Sequence, residues 1–257
     1  DSRLIRSLQH SDVAVGVSAD IPRPKWPTAL DVLLWRRKGG QQQAIDRSVQ
    51  WLLQREGHSF PKPPNSVLGH DTSIPGWPWV AGTHPWVEPT AMAVLALNAH
   101  GYATHSRVAS GVRLLLDRAI ASGGWNVGNC AAFGRPLRSH PAPTGLALRA
   151  LKAVQQVENR TITKACSYLE RALPATRSPE SLCWGIMGWA AWRRPPHVTQ
   201  RWLQQSYCSS PASQASPTRL AYLLLAARAS TAAACLGVSL DARIDDLMAS
   251  VSLMNSD

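Results

Sequence analysis

One stretch of the chain decides the fold: Trp86-Val87-Glu88-Pro89-Thr90-Ala91-Met92-Ala93-Val94-Leu95-Ala96-Leu97. It predicts the start of a helix, because Pro89 suits the first helical position, where its missing N–H costs nothing. Glu88 lies beside the positive end of the helix dipole, where a carboxylate is stabilised. After Thr90 the residues are apolar on every side until Asn98, which is typical of a helix enclosed by other parts of the protein.

The same phrase, a proline followed by Thr or Glu and an apolar run, occurs at four other places. These stretches begin at Pro27, Pro143, Pro179 and Pro217, so the spacings along the five prolines are 62, 54, 36 and 38 residues. Between them lie segments whose apolar residues form a single stripe, which predicts amphipathic helices that cover a core. These segments are residues 44–55, 108–120, 162–173 and 198–207.

The alternation of buried and amphipathic helices predicts an all-α fold with two concentric layers. We expect an α/α toroid of about five to six helical hairpins, with inner apolar and outer amphipathic helices, as one domain over residues 1–257. An open solenoid of helix pairs is the main alternative, but solenoid repeats tend to keep a fixed short period. Residues 3–9 resemble the end of an outer helix, so we expect an incomplete N-terminus. Residues 240–253 are expected to close or cap the ring.

The chain is basic, with 27 Lys and Arg against 16 Asp and Glu, a net charge of +11. The basic residues are scattered, with short clusters at 36–38 and 193–194, and no nucleic-acid-binding motif is present. We therefore interpret the charge as a solvated outer face and expect no nucleic-acid partner. No signal peptide is visible, and Arg228 interrupts the longest apolar tract, so we expect a cytoplasmic protein. Peripheral contact with a membrane surface stays open.

Residues 57–87 lack helical periodicity, and their tryptophans predict an ordered loop across one end of the barrel. The loop contains His58, His70, Asp71 and His84, which are residue types that bind metals, but their spacing matches no compact ligand motif. The five cysteines are widely spaced and include no C-x-x-C pair, which argues against a disulfide framework and a cysteine-rich zinc site. We expect no metal and no cofactor.

Two motifs resemble the repeats of a known superfamily. Gly124-Trp125 and Val87-Glu88-Pro89-Thr90-Ala91 are similar to the Gly-Trp element and the Thr-Ala helix start of the prenyltransferase and squalene-cyclase repeat superfamily. The resemblance extends over nearly the whole chain as a repeat pattern. It implies an α/α toroid in which Gly-Trp elements follow the outer helices.

The resemblance also implies a candidate acid. In the class II terpene cyclases of this superfamily, an Asp-x-Asp-Asp-Thr-Ala motif opens an inner helix, and its central Asp protonates an alkene or epoxide. The matching letters here are Trp86-Val87-Glu88-Pro89-Thr90-Ala91, so Glu88 is the candidate catalytic acid, while Trp86 and Pro89 replace the flanking carboxylates. The alternative is that Glu88 is only a stabilising charge at a helix N-terminus.

A second branch of the superfamily, the protein prenyltransferases, holds zinc with Asp, Cys and His. Cys183, in Ser181-Leu182-Cys183-Trp184 near the start of an inner helix, is a faint likeness to that cysteine. No Asp or His with the family's context accompanies it, so the resemblance implies no zinc site here.

Tryptophan is unusually frequent, with 11 Trp against two Phe. The candidate substrate-binding residues are Trp79, Trp86, Trp184 and Trp189, because indole rings in a central cavity stabilise a carbocation by cation–π attraction or stack against an isoprenoid. The alternative is that tryptophans near hairpin ends fasten the hairpins together. We favour that role for Trp125 and leave it open for Trp86 and Trp184.

Two functions are compatible with these observations. The first is a prenyltransferase- or terpene-cyclase-like toroid, an isomerase or transferase, that binds or cyclises an isoprenoid or other apolar small molecule by acid-initiated carbocation chemistry. The second is a non-catalytic α/α toroid that serves as a ligand-binding or protein-interaction scaffold. The missing acidic partners of Glu88 favour the second, and the tryptophans favour the first.

Overall fold

The fold is taken from a computed structural model, and the description applies to residues 14–15, 25–38, 42–156, 158–193, 197–209 and 216–232. The regular structure of these residues is helical apart from one two-stranded hairpin, which confirms the predicted all-α class. The helices are α1 (Pro27–Lys38), α2 (Gln42–Gln54), α3 (Val87–Ala99), α4 (Ser106–Asp117), α5 (Pro141–Ala153), α6 (Arg160–Ala172), α7 (Pro179–Ala190), α8 (Val198–Cys208) and α9 (Pro217–Ala232). The strands are β1 (Ala131–Ala132) and β2 (Arg135–Pro136), and Leu173–Ala175 forms a 3₁₀ turn after α6.

The helices are of two kinds, as the sequence pattern predicts. Helices α3, α5 and α7 begin around a Pro and bury residues on nearly every side, because their apolar residues are not confined to one stripe. Helix α6 is typical of the other kind, since it buries one stripe with helical spacing: Ile162, Ala165, Cys166 and Leu169. Helix α9 departs from the inner pattern, because Leu225 is 54% exposed.

Inner helices pack side by side in chain order. Helix α1 packs on α3, α3 on α5, α5 on α7 and α7 on α9, while α2, α4, α6 and α8 each contact the two inner helices on either side. The approach of α5 to α7 is very close, because a Cβ on Gly145 would overlap the backbone carbonyl of Trp184. The described helices therefore form two layers, and closure of the layers into a ring stays a prediction.

Several boundaries differ from those expected. Helix α5 begins at Pro141, two residues before Pro143, and the loop before it contains the short hairpin of β1 and β2. Helix α4 ends at Asp117 rather than at Ile120, because the chain turns and the Ile120 N–H donates to the carbonyl oxygen of Gly124 at 2.9 Å. The expected helical segments 3–9 and 240–253 lie outside the described residues.

Trp125 joins an outer helix to the next inner helix. Its indole Nε1–H donates to the carbonyl oxygen of Leu115 in α4 at 2.6 Å, and its backbone N–H donates to the hydroxyl of Thr144 in α5 at 2.9 Å. The Thr144 hydroxyl in turn donates to the Trp125 carbonyl oxygen at 3.3 Å. Trp125 is fully buried, which supports the fastening role expected for it.

Trp77 makes the same connection one repeat earlier. Its indole Nε1–H donates to the carbonyl oxygen of Leu52 in α2 at 2.9 Å, and its backbone N–H donates to the hydroxyl of Thr90 in α3 at 3.0 Å. A Gly precedes the Trp in both copies, since a Cβ at Gly76 or Gly124 would lie 2.8 Å from the threonine hydroxyl.

A third copy of the threonine contact occurs at the start of α1. The backbone N–H of Val15 donates to the hydroxyl of Thr28 at 2.9 Å, across 13 residues. Trp77 and Thr90 are also 13 residues apart. The Pro-Thr phrase thus has a structural meaning at α1, α3 and α5, because its hydroxyl binds the segment that enters each of these helices.

The long loop before α3 is ordered, as expected, and folds back on itself. The backbone N–H of Gly57 donates to the carbonyl oxygen of Gly76 at 2.8 Å, and that of His58 donates to the carbonyl oxygen of Thr83 at 2.8 Å. These bonds hold residues that are far apart in the loop against one another.

Candidate functional site

Glu88 lies in the first turn of α3, and its side chain is half-buried. Burial, and to a smaller extent the negative charge of Glu180 in the first turn of α7, raise the pKa of Glu88 to about 7. The dipole of α3 favours the charged carboxylate, so the loss of hydration outweighs the helix N-terminus at this position. Glu88 therefore keeps its proton on a large fraction of molecules at neutral pH.

Equivalent positions on three inner helices share the partial exposure of Glu88. They lie two residues before and five residues after the threonine of each Pro-Thr pair, and residues seven apart fall on one face of a helix. We call this set the open stripe. It consists of Trp26, directly before α1, Leu33 on α1, Glu88 and Leu95 on α3, and Ala142 and Arg149 on α5; all six are half-buried. The inner helices therefore keep one face that their neighbours do not fully cover.

The open stripe is mostly apolar around its two charged residues. Leu33, Leu95 and Ala142 contribute aliphatic surface to this face. Arg149 is its basic residue, and burial lowers the pKa of the Arg149 guanidinium. A face of this composition suits an apolar molecule with a polar end, because a few polar groups among apolar ones fix a ligand's orientation.

Trp79 lines a cavity that none of the other three candidate tryptophans lines. The cavity, of about 40 Å³, is lined by the rings of Trp26, Trp51, Trp77 and Trp79. Trp26 and Trp79 meet edge to face, with ring centroids 5.2 Å apart. The cavity is small. The Arg55 guanidinium already lies over the Trp51 ring, 5.6 Å from the ring centroid, so one wall of the cavity carries a cation.

The remaining candidates lie apart from one another. Trp86 is half-buried against Gly128, where a Cβ would overlap its ring. Trp184 meets the ring of Tyr222 with centroids 5.9 Å apart, and Trp189 is only 5% exposed within the core. The structure therefore distributes the four candidate tryptophans over separate surroundings, and Trp184 lies in the same helix as Glu180, the carboxylate that acts on Glu88.

The long loop forms a second and larger cavity, of about 180 Å³, which we call the histidine cavity. Its lining includes His58, His70, His84, Trp86, Arg118 and Asn129. Three of the four residues that the sequence singled out in this loop thus come together. Among the residues that the structure describes, however, no three His, Cys, Asp or Glu side chains are arranged to hold a metal ion.

Cys183 is a core residue rather than an exposed thiol. It is fully buried in α7, and burial raises the pKa of its thiol to about 12. A thiol in these surroundings stays protonated and contributes by packing.

The sequence analysis did not single out the buried charged residues Asp31 and Arg118. Asp31 in α1 is only 8% exposed, burial raises its pKa to about 7, and its Oδ2 has no hydrogen-bond partner among the described residues. The available signal was a single acid inside an apolar helix. Arg118 follows α4 and is 4% exposed, and the amphipathic pattern of residues 108–120 gave no signal for its burial.

No family model and no curated protein matches this sequence. Among the described helices, none has both the length and the apolar content needed to cross a bilayer.

Proposed function

We propose that the protein is a toroid of the prenyltransferase and squalene-cyclase type that binds an isoprenoid or similar apolar molecule along its open stripe. The observation that carries this proposal is the half-buried Glu88, whose pKa of about 7 leaves about half of its carboxyl groups protonated at neutral pH, on the same helix face as the aliphatic Leu95. A protonated carboxyl donates a hydrogen bond, so it would hold a hydroxyl or carbonyl group at the polar end of such a ligand.

The acidity of Glu88 favours binding over cyclisation. Protonation of an alkene needs an acid much stronger than an ordinary carboxylic acid, and such an acid is prepared by groups that stabilise its conjugate base. Burial and Glu180 do the opposite, because they raise the pKa of Glu88 to about 7. The proposed role of Glu88 is therefore to orient the ligand.

Acid-initiated cyclisation is the second candidate. The observation in its favour is that the Glu88 carboxyl keeps a proton to transfer at neutral pH and lies at the start of an inner helix. Trp184 and Tyr222, which meet edge to face, would then stabilise a developing cation by cation–π attraction.

The test is binding and turnover of polyprenyl alcohols, polyprenyl diphosphates and squalene by the wild type, by Glu88→Gln and by Glu88→Leu. A matched control is Glu170→Gln, which removes an exposed carboxylate from the outer helix α6. The binding proposal expects saturable binding without turnover. The affinity for a ligand with a polar end should be kept in Glu88→Gln, whose amide still donates a hydrogen bond, and should weaken in Glu88→Leu, which has no donor.

Other outcomes separate the candidates. Turnover that is lost in Glu88→Gln while binding is kept would favour cyclisation. Absence of binding to every ligand of the panel would contradict both candidates and favour a scaffold that binds another protein.

A further inference from the structure

The histidine cavity contains a buried polar group that lacks a partner. His70 is only 3% exposed, and its Nδ1 makes no hydrogen bond with any described residue. Buried side-chain nitrogens are nearly always hydrogen-bonded, so an unpartnered one that lines a cavity indicates a place for a ligand atom.

A buried guanidinium lies in the same lining. Arg118 is 4% exposed; its Nη1 donates to the carbonyl oxygen of Gly128 at 3.0 Å, and its Nε lies 3.4 Å from Asp117. Asp117, which pairs with this guanidinium, also accepts from the Asp71 N–H at 3.0 Å, and the Asp71 carboxylate accepts from the Ser73 hydroxyl.

Basic side chains outnumber acidic ones among the charged groups that act on His70. Burial lowers the pKa of His70 to about 4, and the charges of Arg118, Lys62 and His84 contribute to the lowering, while Asp71 opposes it. A cation would be repelled by this arrangement, whereas an anion would gain both charge attraction and hydrogen bonds.

Two further imidazoles stand at the opening. The side chains of His58 and His84 are exposed, and their ring centroids are 6.4 Å apart. Together with His70, Arg118 and the Asn129 amide, they present donors from separate segments of the chain around one space. Donors on several sides match a tetrahedral group better than a flat carboxylate, which accepts from within one plane.

We propose that the histidine cavity binds a phosphate group, either as inorganic phosphate or as a phosphate monoester. This site is separate from the proposed function of the open stripe, and either can fail without the other. Trp86 and Phe60 also line the cavity and would contact the organic part of a monoester.

The test uses the full chain with ¹⁵N-labelled histidine, titrated near pH 7 at constant ionic strength with inorganic phosphate, phenyl phosphate or acetate. We expect the signals of His58, His70 and His84 to shift saturably with either phosphate compound. The exposed His140, outside the cavity lining, should not shift, and acetate should not saturate the site. The tighter of the two phosphate compounds identifies the natural source.

A paired variant removes the exposed donors without touching the buried ones. His58→Ala with His84→Ala should weaken phosphate binding about tenfold or more, since two imidazole hydrogen-bond donors are lost, while His140→Ala should leave it unchanged. The proposal is overturned if phosphate does not saturate the three signals or if acetate binds equally well. It is also overturned if His140 shifts equally or the paired variant keeps the wild-type affinity.

Discussion

The hydroxyl of Thr144 accepts a hydrogen bond from the backbone N–H of Trp125 at 2.9 Å and donates one to the carbonyl oxygen of the same residue. One side chain at the start of an inner helix thereby satisfies both backbone groups of a buried tryptophan. Trp77 and Thr90 repeat the relationship. The Pro-Thr phrase and the Gly-Trp element are thus two halves of one joint between helices.

This joint predicts the cost of losing the hydroxyl. Thr144→Val keeps the shape of the side chain but leaves the buried Trp125 N–H without an acceptor, so we expect the free energy of unfolding to fall by about 1–3 kcal/mol. The exposed Thr104→Val should change it by less than about 0.5 kcal/mol. Urea denaturation of the two variants makes the comparison, and equal stabilities would contradict the role of the hydroxyl.

The glycine before the tryptophan gives a second prediction. Gly124 has a φ of +84°, and a Cβ there would also lie 2.8 Å from the Thr144 hydroxyl. Gly82 has a similar φ of +81° but open space around it. Both alanine variants carry the backbone strain, so thermal denaturation should find Gly124→Ala less stable than Gly82→Ala by about 1–3 kcal/mol. Equal losses would mean that the backbone angle alone requires glycine.

The close contact between α5 and α7 gives a third prediction about stability. A Cβ on Gly145 would overlap the Trp184 carbonyl, which belongs to a helix backbone, whereas a Cβ on Gly111 would meet only the side chains of Val94, Trp77 and Thr90. Side chains change rotamer more easily than two helices move apart. We expect Gly145→Ala to lose about 3 kcal/mol or more and Gly111→Ala to lose clearly less, measured by denaturant titration. The reverse order would contradict this helix packing.

The raised pKa of Glu88 predicts how stability depends on pH. The folded state holds this proton to about pH 7, while the unfolded chain releases it near its ordinary value of 4.5. Stability from this group is therefore complete below about pH 4.5 and is lost as the pH rises toward 7. Glu88→Gln should match the wild type near pH 4 and exceed it by about 1–2 kcal/mol near pH 8.5, after allowance for partial exposure. A difference that does not change with pH would contradict the raised pKa.

The sequence predicts much of this fold for physical reasons. Inner and outer helices differ in how apolar residues repeat, and that difference survives in the structure because each helix must match its surroundings on every side. The proline of the phrase is the first residue of α1, α7 and α9, whereas α3 and α5 begin two residues before Pro89 and Pro143. The role of Trp77 could have been predicted as well, since Gly76-Trp77 repeats the letters of Gly124-Trp125.

The candidate sites were less predictable because they depend on contacts between distant residues. The pKa of Glu88 depends on burial and on Glu180, which lies in another inner helix. The histidine cavity joins loop residues that have no periodic pattern to Arg118 at the end of α4. Periodicity indicates which face of a helix is buried, but it does not indicate which loop residues will share a cavity.

The most direct test of the proposed function is the affinity for a polyprenyl alcohol, measured by calorimetry on the wild type, Leu95→Gln and Val127→Gln. Leu95 belongs to the open stripe, whereas Val127 is a 41% exposed apolar residue elsewhere. The account predicts saturable binding to the wild type, an affinity about tenfold weaker for Leu95→Gln, which places a polar group against the ligand, and no change for Val127→Gln. No binding to the wild type, or the same affinity in all three proteins, would contradict it.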